Sequence, residues 1–315
     1  MNSGFWKKLE KPFSVLAPMA GVTDFAFRQI LAEIAKPDVI YTEMVTTEGL
    51  YAKGEAEYAL QMKYGENERL IVAQIFGSDP KKIEAAARIA EERGFDGVDI
   101  NMGCPQDIVV RQGAGAGLIR TPELAKEIIQ AAKGAVKNIP VSVKTRTGFK
   151  SHEEFRGWIS SIATEAPAAI TIHGRTREMK GRGAADWEMI RSAGEVIREI
   201  NKEIIILGNG DIRNIEDGEK KAGEYGMDGF MIGRAAIGNP WSFSRHNPSI
   251  EEKLTTMSRH MKIYHETFGD ASFDRLKTHF SEYLSGFPGA KDLRERVMLV
   301  KSPREVEEIL ASFKV

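Results

Sequence analysis

A chain of 315 residues, 42% hydrophobic and 28% charged and free of low-complexity tracts, is long enough for one large domain, or a large and a small one, with a well-buried core. A formal net charge of −1 excludes a globally basic nucleic-acid binder, so any RNA contact has to come from a local basic surface. The single cysteine excludes an internal disulfide, and no apolar run approaches the ~18–20 residues that span a bilayer. The opening is basic and then apolar, but Pro12 and Pro18 break it and make it a poor secretory signal, so a cytoplasmic location is expected.

From the N-terminus, the first apolar run is Ser14–Met19, followed by a helix over Asp24–Ala35 with Thr23 as its cap. Val39–Met44, Leu70–Phe76 and Gly97–Met102 come next. Asp79-Pro80 opens a helix that Gly94 stops, and Thr121-Pro122 opens another in the same way. Pro140–Thr145, Ala169–His173, Ile204–Gly208 and Gly229–Gly233 complete eight short β-branched runs. Helical patterns over His152–Ala166, Asp186–Ile200 and Asn214–Tyr225 lie between them. Continuous apolar strands suit a parallel sheet covered on both faces. Eight strand–helix units match an α/β fold, the TIM (β/α)8 barrel, better than an open doubly wound sheet. After Arg245 the alternation stops. Helices are expected over Glu251–Phe268, Ser272–Ser285, Ala290–Leu299 and Pro303–Phe313, with a Gly-Phe-Pro-Gly turn at 286–289. The expected division is a barrel over residues 1–245 and a small all-α C-terminal domain over 246–315.

In such a barrel the C-terminal ends of the strands converge on one mouth. Those positions carry Pro18, Met19 and Ala20, then Gln74, Asn101 with Cys104, Lys144 with Arg146, His173 with Arg175, Asn209-Gly210-Asp211 and Gly233-Arg234. Turns after strands seven and eight commonly hold phosphate. Gly208, Gly210 and Gly233 would let backbone approach closely, and Arg234 offers a charged fork. A lysine at the mouth needs an anionic partner. For Lys144 the choices are a reduced flavin, an ion pair with Asp99 or Glu43, or a Schiff base. Gly113–Gly117 follows strand four without the context of a dinucleotide fingerprint and is assigned to loop flexibility. Cys104 belongs to no metal-ligand spacing, so no metal is expected. Its place on a loop just past a strand favours a reactive role over an inert buried thiol.

Several segments together resemble the tRNA-dihydrouridine synthase family. They are APMAGVTDFAFR (17–28), QIFGSDP (74–80), DINMGCPQ (99–106), VKTRTGF (143–149), IHGRTRE (172–178), ADW (185–187), GNGDI (208–212) and IGRAAIGNPW (232–241). The likeness runs through the barrel and continues weakly at KTHFSEYLSGFPGA (277–290). The chain departs from the family pattern at Glu178-Met179-Lys180-Gly181, where glutamine and an aromatic are usual, and at Arg111, where lysine is usual.

The resemblance implies FMN across the mouth, contacted by Pro18, Met19, Ala20, Gln74, Lys144 and His173. Its phosphate would be held by Asn209, Gly210, Asp211, Gly233 and Arg234. It implies NADPH or NADH as reductant and tRNA as substrate, with Asn101 helping to place the uracil and Arg175 also on the substrate side. Hydride would pass from flavin N5 to C6 of a flipped uridine while Cys104 protonates C5. The tail would contact RNA. Arg245–Val315 holds 12 lysines and arginines against 11 acidic residues and four of the six histidines, so Lys277, His279, Lys291, Arg294 and Arg296 are the candidates. The protein is expected to be a monomer. The rival readings are an FMN barrel acting on a free small molecule, a Lys144 Schiff-base aldolase and a non-catalytic RNA-binding barrel.

Overall fold

A computed structural model describes residues 3–269 and 273–313. The apolar runs become eight parallel strands: β1 (Phe13–Leu16), β2 (Ile40–Thr46), β3 (Ile71–Phe76), β4 (Gly97–Met102), β5 (Val141–Arg146), β6 (Ala169–His173), β7 (Ile205–Asn209) and β8 (Gly229–Ile232). Their order is β1-β8-β7-β6-β5-β4-β3-β2, and a bridge between Val15 and Val39 joins β1 to β2 and closes the ring. This is a TIM barrel, and strands such as β3, β4 and β8 are buried along their whole length, as their unbroken apolar runs require.

Around the ring lie α1 (Phe25–Ile34), α2 (Thr47–Lys53), α3 (Pro80–Glu92), α4 (Asp107–Arg111), α5 (Pro122–Ala135), α6 (Phe155–Thr164), α7 (Trp187–Ile200) and α8 (Ile215–Tyr225). The short α2 and α4, both on loops that follow strands, have too few turns to show a periodicity in sequence. Asp79, Asp186 and Asn214 cap their helices through side-chain oxygens. At α1 the expected cap is displaced by one residue. Asp24 accepts from the Phe27 amide at 3.0 Å, while the Thr23 hydroxyl turns back to accept from Met19 N at 2.9 Å and so tightens the turn after β1. The Gly113–Gly117 stretch is not a flexible loop. Ala114 to Gly117 are buried, and Gly115 (φ +57°) lies so close beneath the Cys104 loop that an added Cβ would come within 2.9 Å of the Cys104 carbonyl.

One core lies between the strands and the helices, and a smaller one fills the barrel. Its lower end is plugged by Trp6 from a turn of 3-10 helix, with Phe5 and Phe13 ring centroids at 4.6 and 5.8 Å. Above the plug comes a polar layer of Tyr41, Asp99 and Ser142, all buried.

The tail forms α9 (Ile250–Phe268), α10 (Phe273–Tyr283), α11 (Ala290–Leu299) and α12 (Pro303–Ser312). Ser272, the expected start of the second of these, lies outside the described residues. Met257, Met261, Phe280, Tyr283, Leu293 and Val297 build a third core with Ala26 of α1 and Trp241. Among the described residues no helix is long and apolar enough to cross a membrane.

His279 ties this tail to the barrel and is not part of an exposed surface. It is 1% exposed, its Nδ1 accepts from Gly238 N at 3.0 Å, and its Nε2 lies 3.1 Å from the Val22 carbonyl. An accepting Nδ1 places the proton on Nε2, which donates to Val22. Lys277, 13% exposed along its side chain, is paired with Asp274 at 2.7 Å and lies over the Phe273 ring. Helix α10 turns its 276/279/280/283 face to the protein, so neither residue forms the exposed basic face expected of it.

Burial holds the His279 pKa down at about 4. The folded protein therefore excludes a proton that the unfolded chain takes up below about pH 6.5, and stability falls as pH drops from there towards 4. Asp24, raised to about 7 chiefly by burial, has the opposite slope, because its stabilisation is lost as pH rises. A comparison with His279→Gln, which keeps a donor and an acceptor, isolates the histidine. Between pH 7.5 and 5 the wild type should lose about 2 kcal/mol of unfolding free energy relative to the variant, measured by urea denaturation. Parallel pH profiles would contradict this account.

Candidate active site

At the C-terminal ends of the strands lies a cavity of about 930 Å³. Thirteen expected site residues line it together: Pro18, Met19, Ala20, Asn101, Cys104, Lys144, His173, Arg175, Asn209, Gly210, Asp211, Gly233 and Arg234. Gln74 does not. It is fully buried one layer below, bonded to Asn101 and Asp99.

Cys104 enters the wall from the loop after β4. Asn101 Oδ1 accepts from Gly103 N at 3.0 Å and from Cys104 N at 2.8 Å, and the Cys104 carbonyl accepts from Ala116 N at 3.0 Å. Beside the thiol lie Met44, Phe76, Val109 and Ala114. Burial pushes the thiol pKa up, with the Gln106 amide, then Arg146 and Lys144, pulling partly the other way, so Cys104 is a protonated thiol at neutral pH.

Lys144 rises from β5 beside Asn101 of β4, and His173 ends β6. The ammonium donates to Asn209 Oδ1 at 2.9 Å, and Asn209 Nδ2 donates to the Met231 carbonyl at 2.7 Å. Among the described residues no carboxylate lies within ion-pair distance of Lys144. Asp99 is instead bonded to Gln74 and Ser142. Burial, then Arg146, lowers Lys144 to about 8, so it is still mostly charged near neutrality but held at a cost that an anion in the cavity would relieve. Burial and the surrounding cations Arg146, Lys144 and Arg175 hold His173 well below its usual range, so its imidazole is neutral.

The turns after β7 and β8 carry the remaining charge. Asp211, in the left-handed region at φ +52°, accepts from Arg175 at 2.6 Å, Arg234 at 2.6 Å and Ala185 N at 2.7 Å. Burial pulls its pKa up, but these donors outweigh it and the carboxyl stays below its ordinary value. Arg175 is buried, spent on Asp211 and the Gly183 carbonyl. Arg234 remains 65% exposed along its side chain. It begins a single turn of helix, Arg234–Ala236, whose first amides have no intrahelical acceptor. The glycines divide by role. Gly208 lies against the Trp187 ring, where a Cβ would come within 2.5 Å, so it serves packing. Gly210 bends at φ +127° and its carbonyl accepts from Trp187 Nε1 at 3.0 Å.

Arg146 has a larger role than its strand-end position suggested. Its Nε donates to the Gly103 carbonyl at 2.6 Å, and its Nη1 donates to the Thr176 and Lys180 carbonyls, each at 3.1 Å. It thereby joins the cysteine loop to the loop after β6. Asp107 makes the same connection from outside, paired with Arg177 and, at 3.2 Å, with Lys180. Nothing in the sequence signals contacts to carbonyls 30 or more residues away.

Gly210→Ala would put a methyl 2.5 Å from the Ala185 Cβ and 3.0 Å from the His173 ring on a backbone that side chains rarely adopt. A loss of about 1–3 kcal/mol in unfolding free energy is expected. An unchanged urea midpoint would mean that this turn is not held as described.

A family model described as Dihydrouridine synthase (Dus) matches residues 15–314. A Bacillus subtilis protein named probable tRNA-dihydrouridine synthase 2 is 38% identical over 318 residues, spanning 99% of this chain and 97% of that protein. A Staphylococcus epidermidis protein named probable tRNA-dihydrouridine synthase is 36% identical over 319 residues, with the same coverage. Among solved structures, morphinone reductase superposes with a TM-score of 0.52 at 14% identity, over 72% of this chain and 83% of that one, a likeness of fold alone.

Proposed function

The chain belongs to the dihydrouridine synthase family, and from that premise we propose that it reduces uridine to 5,6-dihydrouridine in tRNA, using bound FMN and NADPH or NADH. One observation carries the reading. A thiol kept protonated by burial shares a cavity with an ammonium whose hydrogen-bond acceptor is neutral and with two turns suited to phosphate.

The residues fit a flavin mononucleotide. A cavity of this size lies within the range of about 300–1,000 Å³ usual for cofactors. Lys144 supplies the positive charge that an anionic ring edge needs. Pro18, Met19, Ala20 and the neutral His173 give it walls. The turns at Asn209–Asp211 and Gly233–Arg234 take the phosphate, with the exposed Arg234 as its cation and Asp211 as the anchor that aims Arg234. When bound, the flavin supplies the hydride for the pyrimidine C5–C6 bond and is recharged by the nicotinamide.

Cys104 supplies the proton at C5. For that step the thiol has to be neutral, which its burial ensures. The target base has to leave its stack to enter the cavity, since its reacting bond is otherwise covered. We assign catalysis to residues 1–245 and RNA contact to 246–315. Lys291 and Arg296 remain candidate phosphate contacts, whereas Arg294 points at the Leu284 carbonyl.

Cys104→Ala should leave the protein yellow and lower dihydrouridine formation by about 10²–10⁴-fold. Unchanged product by mass spectrometry of tRNA would remove Cys104 from the mechanism. Arg234→Ala should weaken FMN about 10-fold in fluorescence titrations and leave riboflavin, which lacks the phosphate, unaffected. Equal weakening of both ligands would place Arg234 elsewhere than on the phosphate.

A further inference from the structure

The Asn101 carboxamide spends its oxygen and one of its two N–H groups inside the protein, and the other N–H meets only a weak thioether acceptor. Such a group accepts about two hydrogen bonds on its oxygen and donates two from its nitrogen. Here Oδ1 takes the Gly103 and Cys104 amides at 3.0 and 2.8 Å, while Nδ2 donates to Gln74 Oε1 at 2.9 Å and lies 3.5 Å from Met44 Sδ.

The orientation of this chain is forced from one end. Two backbone N–H groups admit only an acceptor, so the amide oxygen has to face Gly103 and Cys104. That turns the nitrogen towards Gln74, which has to answer with its own oxygen. Gln74 Nε2 then faces Asp99 Oδ2, at 2.8 Å, and needs an acceptor there. Asp99 provides one, and its other oxygen accepts from the Ser142 hydroxyl at 2.7 Å. The strand register makes Met44, Gln74 and Asp99 neighbours on adjoining strands, and Gln74, Asp99 and Ser142 are buried. No member can rotate without leaving a buried polar group unpaired.

We infer that Asn101 is a positioning residue for Cys104: its carboxamide, locked by Gln74 and Asp99, fixes the Gly103–Cys104 backbone and aims the thiol into the cavity. The role of that thiol rests on the function proposed above. The inference gives Asn101 and Gln74 a supporting role beneath the thiol in addition to the ligand contacts expected of them.

Because the chain has one cysteine, alkylation reads this site alone. The full-length protein is treated with iodoacetamide across pH 6.5–10, and dihydrouridine formation is measured in parallel. Asn101→Ala releases the loop. Alkylation at pH 7.5 should rise about 10-fold, the midpoint of its pH profile should fall towards the ~8.5 of a free cysteine, and uridine reduction should drop at least about 10-fold. Gln74→Leu should shift the profile in the same direction by less, and it carries the test if Asn101→Ala does not fold. Asp99→Asn should keep the wild-type alkylation profile, because an asparagine can accept from Gln74 while donating to the Ser142 oxygen. An unchanged alkylation profile in Asn101→Ala or Gln74→Leu, alongside lost reduction, overturns the inference and returns Asn101 to direct substrate contact. A wild type that reduces no uridine overturns the proposed function instead, and the alkylation profiles still decide the positioning role.

Discussion

Closing eight parallel strands into a ring sends alternate side chains of every strand into a space that only the mouth opens to water. Apolar groups fill that space at the plugged end. Towards the mouth the sequence places Asp99, Gln74, Asn101, Ser142, Lys144 and Asn209, where each polar atom needs a partner or carries a desolvation cost of about 1–3 kcal/mol. The resulting pattern separates two kinds of residue. Asp99, Gln74 and Asn101 satisfy one another in a fixed direction, and Arg146 and Arg175 are spent on carbonyls and on Asp211. Lys144 and Cys104 keep their reactive atoms towards the cavity, each with a pKa moved by burial. The first group makes a frame, and the second is left for ligands.

The tail is continuous with that frame. His279 bonds at once to Val22, in the turn after β1, and to Gly238, in the loop after β8. Those two segments also carry Met19 and Ala20 and the Gly233-Arg234 turn, which line the cavity. Gly238 can approach only because it lacks a side chain, since a Cβ there would come within 2.1 Å of the His279 carbonyl. Docking of the four tail helices therefore restrains two opposite ends of the strand sequence, adjacent in the ring, that form one side of the site. The tail's contribution to the site begins with this restraint, whatever RNA it touches.

The fold was legible because its signals are local and repeated. Eight β-branched runs and Asp or Asn caps place strands and helices to within about three residues, and the mouth follows from strand direction alone. Thirteen of the fourteen barrel residues assigned to catalysis, cofactor or substrate line the cavity, because their place at a strand end or in the turn after it decides their position. The errors occurred where tertiary packing decides. His279 and Lys277 read as a basic face because charge suggests solvent, yet α10 turns that face inward and uses the imidazole as a two-sided bridge. Gly113–Gly117 read as flexible because glycine permits many conformations. Here the missing side chains let the segment pass under Cys104. Gln74 read as a mouth residue from its place on β3, but it is covered by Asn101 one strand away.

A sequence reveals which side chains point inward, but it does not reveal how many of their hydrogen bonds the protein has already used. Asn101 and Lys144 illustrate the difference. They are register partners on β4 and β5, and sequence alone gives each an equal claim to touch a ligand. In the folded chain the amide oxygen and one of its N–H groups are spent on the cysteine loop and Gln74, while the ammonium has one neutral acceptor, Asn209. An anion entering the cavity gains from the ammonium because the protein has already removed most of its water without supplying a carboxylate in direct contact. It gains less from the amide, which carries no charge and whose nitrogen already donates to Gln74 and lies against the Met44 thioether. Binding and positioning are thus divided between neighbouring strands by the same requirement, that no buried polar atom be left unpaired.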